Sequence, residues 1–410
     1  MTARDGTNPD TLDQFRIRLA ENPALCDRLA VFEDRDAFVA AAADLGTEIG
    51  LVLDRQALAA ALRPDPLGLD RFDDLAANRL GWPAPGWLPV ALVSAVGEWA
   101  IDWMHFGGAR LVEPFFEDSV RTARRRPINR LLRWRTPLSV LMQPPPADAA
   151  GVPDGLIFHM SRCGSTLVAQ MLAASPDHVV VSEAAVFDQV VQMAHVSSGL
   201  PLDQRLGLLR GMLSALGRRA GPDKGRFFVK LDSWHMLAFP LLRDAFPQTP
   251  WLFLYREPVE ILVSQARMPG LQVVPGALGD LYGLGDGRGL APGEYAACAL
   301  ARIGAAALEQ QDQPGGLFVD YGELPEALER RILPHFHVRP DPEALGRMRE
   351  VAARDSKTPA LPFVDDRQAK RDAATAAIRG FADRHLSELH RSFGARSART
   401  AAEAVREGTP

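Results

Sequence analysis

The sequence predicts an α/β fold: a parallel sheet covered by helices on both faces, preceded by an all-helical N-terminal extension. Three observations carry this. Beyond residue 154, short apolar runs alternate with helical patterns, and the runs are continuous, as strands buried on both faces require. Residues 11–63 place apolar side chains at helical spacing. A Pro- and Ala-rich stretch, Pro144 to Gly151, then divides the chain in two.

In the second part the strands are expected at 156–160, 178–181, 227–231, 251–255 and 317–321. The helices are expected at 165–174, 202–216, 234–245, 258–266 and 295–310. Residues 269–292 are Gly-rich with little apolar periodicity, which predicts a loop, a candidate lid. Beyond Ala395 the chain is polar and Ala/Arg-rich, so residues 396–410 are expected to form a flexible tail. The α/β domain thus spans 155–395, after a linker at 144–154.

The first part divides at residue 63. Leu12, Phe15 and Leu19 make one helical face, and Asn22-Pro23 ends that helix and starts the next. Asp34 is placed to cap a third helix carrying Phe38, Ala42 and Leu45, with Gly46 as its stop. Asp54 caps a fourth with Leu58 and Leu62. Residues 64–143 hold five of the seven tryptophans, Trp82, Trp87, Trp99, Trp103 and Trp134, which predicts an accessory segment packed on its neighbour or lining a pocket. Here Val96 to Trp103 looks helical, and Pro114 is expected to open another helix. Arg121, Arg124, Arg125, Arg126 and Arg130 form a basic run, expected as a solvated face.

Composition narrows the function classes. Hydrophobic content of 47% and charged content of 24% are those of a globular protein. A net charge of −5 gives no reason to expect nucleic-acid binding. Cys26, Cys163 and Cys298 lie too far apart for a disulfide framework or a metal-ligand spacing, and His159, His195 and His235 are equally scattered, so no metal is expected. A reducing cytoplasm is the simplest setting, with no signal peptide and no membrane span expected. Abundant Ala and Arg with few Lys suggest a bacterial source.

The chemistry concentrates at Ser161-Arg162-Cys163-Gly164-Ser165-Thr166, between a strand and a helix. The free N–H groups of a first helical turn and the helix dipole favour an anion there, and Arg162 adds a fixed charge. The nucleoside-triphosphate loop G-x-x-x-x-G-K-[ST] is not satisfied, because Ser165 stands where the Lys would. A second signal is Arg256, at a strand end before Pro258, with Ser264 two helical turns on; the pair is spaced to grip one phosphate. Glu183 follows the strand 178–181 and could take a proton from an acceptor, cap the next helix or pair with Arg162.

The loop Arg162-Cys163-Gly164-Ser165-Thr166, followed in order by Arg256 and Ser264, resembles sulfotransferases that use 3′-phosphoadenosine 5′-phosphosulfate (PAPS), whose fold is P-loop-like. The Glu183 spacing is similar to that of the bacterial and tyrosylprotein branch. The resemblance implies that Arg162, Cys163, Gly164, Ser165 and Thr166 hold the 5′-phosphosulfate and that Arg256 and Ser264 hold the 3′-phosphate. It further implies that Glu183 is the base and that Lys230, with Arg162, stabilises charge in transfer. Val319-Asp320-Tyr321-Gly322-Glu323-Leu324 is similar to a family strand end, with Gly322 as a departure, and Ser356 and Lys357 stand where donor contacts occur. Residues 11–63 resemble Nif11 or leader-peptide domains, which would favour a peptide or natural-product acceptor over other small molecules. A nucleotide-dependent kinase and a non-catalytic nucleotide- or peptide-binding module are the other readings. The absent Gly-Lys pair counts against the first; Glu183 and Lys230 count against the second.

Overall fold

Five parallel strands form the sheet that positions the site: β5 (Gly155–His159), β6 (His178–Ser182), β7 (Arg226–Lys230), β8 (Trp251–Tyr255) and β9 (Gly316–Asp320), in the order β6-β7-β5-β8-β9. The computed structural model describes residues 11–63, 76–78, 81–95, 97–147, 149, 151–196, 199–218, 225–287 and 289–407. Strand alternation divides the core. Ile157, Val180, Phe228, Leu252 and Val319 face the helix Ser165–Ala173 and the helix Pro342–Ala352. Leu156, Phe158, Val229, Phe253 and Phe318 face the larger core on the other side. The chain leaves β5 for β6 and β7 on one flank, then turns to β8 and β9 on the other. The carboxyl end of β5 is therefore the switch point where ligands bind in such sheets.

The first part is more than an appendage. Helices Thr11–Glu21, Pro23–Ala30, Arg35–Glu48 and Arg55–Ala61 precede a four-stranded sheet of β1 (Ala76–Asn78), β2 (Trp87–Ala95), β3 (Glu98–His105) and β4 (Arg133–Pro137), ordered β1-β4-β3-β2. The larger core runs through these elements without a break. Trp87 and Trp134 meet at 5.7 Å and Trp82 and Trp103 at 6.0 Å, so four of the five tryptophans pack the accessory segment; Trp99 is half exposed. The expected helix over 96–103 is instead strand β3 from Glu98 on, and Val96 lies outside the described residues. Gly97, at φ 84°, turns the β2–β3 hairpin, and β3 buries both of its faces from Ala100 onward, which hides the two-residue period in the sequence.

Three smaller expectations also change. Gly46 does not stop its helix, which runs to Glu48; a side chain there would meet Leu53 at 2.8 Å, so this glycine permits close packing. Pro114 lies outside the next helix, which starts at Phe116. The basic run divides: Arg121, Arg124 and Arg125 are exposed as expected, whereas Arg126 donates to the carbonyls of Phe106 and Ala30, and Arg130 to that of Leu62. The tail expected from residue 396 belongs to a helix over Ser387–Glu407. Buried Ser397 donates to Phe318 O at 3.0 Å and ties that helix to β9. Among the described residues no helix is long and apolar enough to cross a membrane.

Candidate functional site

The loop after β5 is held in an unusual backbone shape. Ser161 and Arg162 take φ of 64° and 53°, and Gly164, which starts the helix Ser165–Ala173, takes 84°. Only glycine fits at 164, since an added Cβ would lie 2.7 Å from Leu324 and 2.8 Å from Tyr321. Gln265 and Gln272 donate to Ser161 Oγ at 3.1 and 2.7 Å, and Arg162 donates to Met268 O at 2.6 Å. The Cys163 thiol donates to Leu254 O, and burial pushes it up to about 12, so it is not a reactive thiolate.

Arg256 closes β8 on the same cleft. Its Nε is 2.7 Å from Glu260 Oε2, its guanidinium stacks 3.8 Å from the Tyr321 ring, and it is 5% exposed. Its Nη2 makes no hydrogen bond; Asp366 Oδ1 lies 3.5 Å away. Asp366 also holds Lys370 Nζ at 2.8 Å. A buried guanidinium nitrogen without a hydrogen-bond acceptor is costly, and an anion such as a phosphate reaching it from the cleft would satisfy it. Ser264 lines the cleft beside it.

On the other side of the loop from Arg256, at the ends of β6 and β7, lies an ion pair. Glu183 Oε1 is 2.6 Å from Lys230 Nζ and 3.3 Å from His159 Nε2. Burial alone would raise the Glu183 carboxyl, but Lys230 and His159 outweigh it and hold it below the usual carboxylate range. Glu183 takes φ 48° and neither caps the following helix nor pairs with Arg162. The free N–H of Ala185 is met by Glu117 Oε1 at 3.3 Å instead. Lys230, fully buried, also donates to Thr166 Oγ1 at 3.1 Å and sits 4.7 Å from the Phe115 ring. His159 Nδ1 accepts from Ser161 N and its Nε2 contacts Leu231 O, which assigns the proton to Nε2; burial lowers its pKa and keeps the ring neutral.

Arg162, Cys163, Gly164, Ser165, Thr166, Glu183, Arg256, Ser264, Ser356 and Lys357 all line one cleft of about 510 Å³, within the size range of small-molecule sites. Lys230 stands directly behind it. Ser356 and Lys357 arrive on a turn in which Asp355 Oδ1 accepts from the N–H groups of Lys357 and Thr358. Sequence reasoning missed Phe115, Asp232, Asp366 and Lys370, and left His159 as structural. None of these lies in a local motif; the fold alone assembles them. The three-residue cluster Asp188, Asp232 and His235 has a metal-like arrangement. However, His235 Nδ1 accepts from Asp232 N, so the Nε2 that would ligate carries the proton given to Asp188 at 3.0 Å.

No protein-family model and no curated protein matches the chain. Solved sulfotransferase structures do match. One from Mycobacterium avium is 14% identical over 58% of this chain and 77% of its own, with a TM-score of 0.38. The sulfotransferase domain from the curacin biosynthetic pathway is 15% identical over 58% and 98%, with a TM-score of 0.34. A mouse sulfotransferase complexed with PAP is 10% identical over 77% and 99%, also at 0.34.

Proposed function

We propose that this cleft is the active site of a sulfotransferase that moves a sulfuryl group from PAPS to a hydroxyl or amine of an acceptor. The observation that carries the reading is the pairing of two anion sites in one cleft, the loop 161–166 and the unsatisfied Arg256, with the Glu183–Lys230 ion pair beside the loop. A donor phosphorylated at two ends suits that spacing of functions. PAPS supplies the activated sulfuryl group. Arg256 and Ser264 would grip its 3′-phosphate, and the helix N-terminus at Ser165, with Arg162, would hold the 5′ end. The acceptor oxygen or nitrogen attacks sulfur while the bond from sulfur to the 5′-phosphate oxygen breaks. Glu183, already ionised, takes the acceptor's proton. The departing phosphate gains negative charge, which Lys230 stabilises from behind Thr166.

Titration calorimetry with PAP, ATP and GTP tests the donor class, followed by an acceptor screen with labelled PAPS. PAP is expected to bind in preference to both triphosphates. Preference for ATP, or no nucleotide binding, would overturn the reading.

A further inference from the structure

A segment that precedes the linker reaches the reaction centre along the helix Ser165–Ala173. Arg110 donates to the carbonyls of Ala173 and Ser175 at 2.6 and 2.8 Å, where that helix ends and its last carbonyls lack helical partners. One turn back, Gln170 Nε2 donates to Val112 O at 3.1 Å. Phe115 then lines the cleft and lies 4.7 Å from Lys230 Nζ, which bonds Thr166 in the first turn of the helix. Glu117 Oε1 takes the N–H of Ala185, two residues after Glu183. Residues 110–117 therefore follow the helix from its last turn to its first and end beside the Glu183–Lys230 pair.

The ring meets Lys230 where the lysine needs support. An ammonium has three N–H donors. Glu183 Oε1 at 2.6 Å and Thr166 Oγ1 at 3.1 Å take two of them, and the Phe115 ring lies within cation–π range of the same nitrogen. A ring face attracts the charge without adding an oxygen that competes with Glu183 for it. Thr166, Glu183 and Phe115 all line the cleft, and Lys230 lies behind them, fully buried. Lys357 Nζ stands 6.0 Å from the same ring, so two cations of the cleft share it. Phe115 itself is only half-buried and opens the helix Phe116–Arg125 without a side-chain cap, so core packing alone does not account for an aromatic there.

We propose that Phe115 is a positioning residue for sulfuryl transfer: its ring holds the Lys230 ammonium against Glu183 and Thr166 and keeps water from it. The accessory segment thereby supplies one wall of a reaction centre whose other groups belong to the parallel-sheet domain. This rests on the sulfotransferase reading above. Lys230 acts there on charge that develops as the bond to sulfur breaks, so the contribution of Phe115 falls on the transfer step and not on donor affinity. Leucine fills similar space but offers no ring face to the ammonium, whereas tyrosine keeps that face.

Full-length Phe115→Leu and Phe115→Tyr are compared with wild type in two ways. The first is sulfate release from labelled PAPS, with water as acceptor, beside PAP calorimetry. Phe115→Leu should lower release by about three- to thirtyfold, Phe115→Tyr should stay within about threefold of wild type, and PAP affinity should change by less than about threefold in both. The second is a double-mutant cycle of Phe115→Leu with Lys230→Met in denaturant titrations. The two losses should be non-additive, with a coupling of about three- to thirtyfold in the folding constant. Sulfate release, which leaves Lys230 in place, decides if Lys230→Met does not fold. Additive losses, wild-type release in Phe115→Leu, or an equal fall in the leucine and tyrosine variants overturns the inference. PAP binding to the wild-type protein is read first. Its failure removes the donor reading, whereas PAP binding with any of those three results removes this inference alone.

Discussion

Glu183 Oε1 lies 2.6 Å from Lys230 Nζ and 3.3 Å from His159 Nε2, and the lysine also donates to Thr166 Oγ1 at 3.1 Å. A buried pair repays its desolvation only while both charges are present. Lys230→Met is therefore expected to cost about 3–5 kcal/mol by stranding Glu183. Adding Glu183→Gln to it should restore part of that loss. Denaturant titrations of both single variants and the double variant measure the coupling. Strictly additive losses would show that the two charges do not support one another.

Turnover separates from stability at the same pair. Glu183→Gln keeps shape and hydrogen bonding but cannot accept a proton, so turnover should fall by about 10²–10⁴-fold. PAP affinity should remain near wild type, because the carboxylate takes no part in holding either phosphate. Single-turnover assays with labelled PAPS and a verified acceptor, beside PAP calorimetry, provide both readouts. Wild-type turnover in the variant would remove Glu183 from the base role.

Acid should reveal the pair as well. Although burial opposes ionisation, Lys230 and His159 hold the folded-state carboxyl of Glu183 below its ordinary value of 4.5. The unfolded chain then binds the proton more readily than the folded one. The stabilisation is complete above pH 4.5 and is lost progressively below it. Melting temperatures of wild type and Glu183→Gln, taken from about pH 7 to about pH 3, should converge as the pH falls. A constant gap across that range would contradict the assignment.

Arg256 is the residue best placed to take the 3′-phosphate of the proposed donor. It is buried, stacked on Tyr321 and left with one unsatisfied nitrogen. Arg256→Ala should weaken PAP binding by roughly 10–100-fold, the worth of hydrogen bonds to a charged group. Arg256→Lys should recover little, since a point charge cannot reproduce the planar fork. Calorimetry on the three proteins decides this, and an unchanged Kd for Arg256→Ala would move the 3′-phosphate elsewhere.

The parts legible in the sequence were those written locally. All five strands of the parallel sheet were visible because each is a short, continuous apolar run, and the loop 161–166 and the Arg256–Ser264 pair each lie within one strand-turn-helix unit. Strand β3 was hidden because it buries both faces from Ala100 onward, while its turn rests on a single glycine. Asp232 and Asp366 gain meaning only from partners far along the chain, Glu183 for the first and Arg256 for the second, and Lys370 only through Asp366. Ser397 looked like tail because the last apolar anchor of its helix, Phe393, precedes it, and a single buried hydroxyl leaves no apolar pattern in an Ala/Arg-rich stretch.

Lys357, which lines the same cleft, offers a further test of the proposed donor site. Burial first, then Arg162 and Lys230, push its amine down to about 8, and Glu183 only partly opposes them. Below about 8 the amine is charged and adds to the attraction for an anionic donor; as the pH rises through that value the charge is lost. Because a bound polyanion stabilises the charged form, the loss of affinity should extend above the free protein's value. PAP affinity should therefore fall by a few-fold to about tenfold at alkaline pH. Lys357→Arg, charged throughout, should bind PAP with a flat profile, and Lys357→Met should be uniformly weak. Calorimetric titrations on either side of the transition test this, and a wild-type profile as flat as that of the arginine variant would place Lys357 outside the donor's reach.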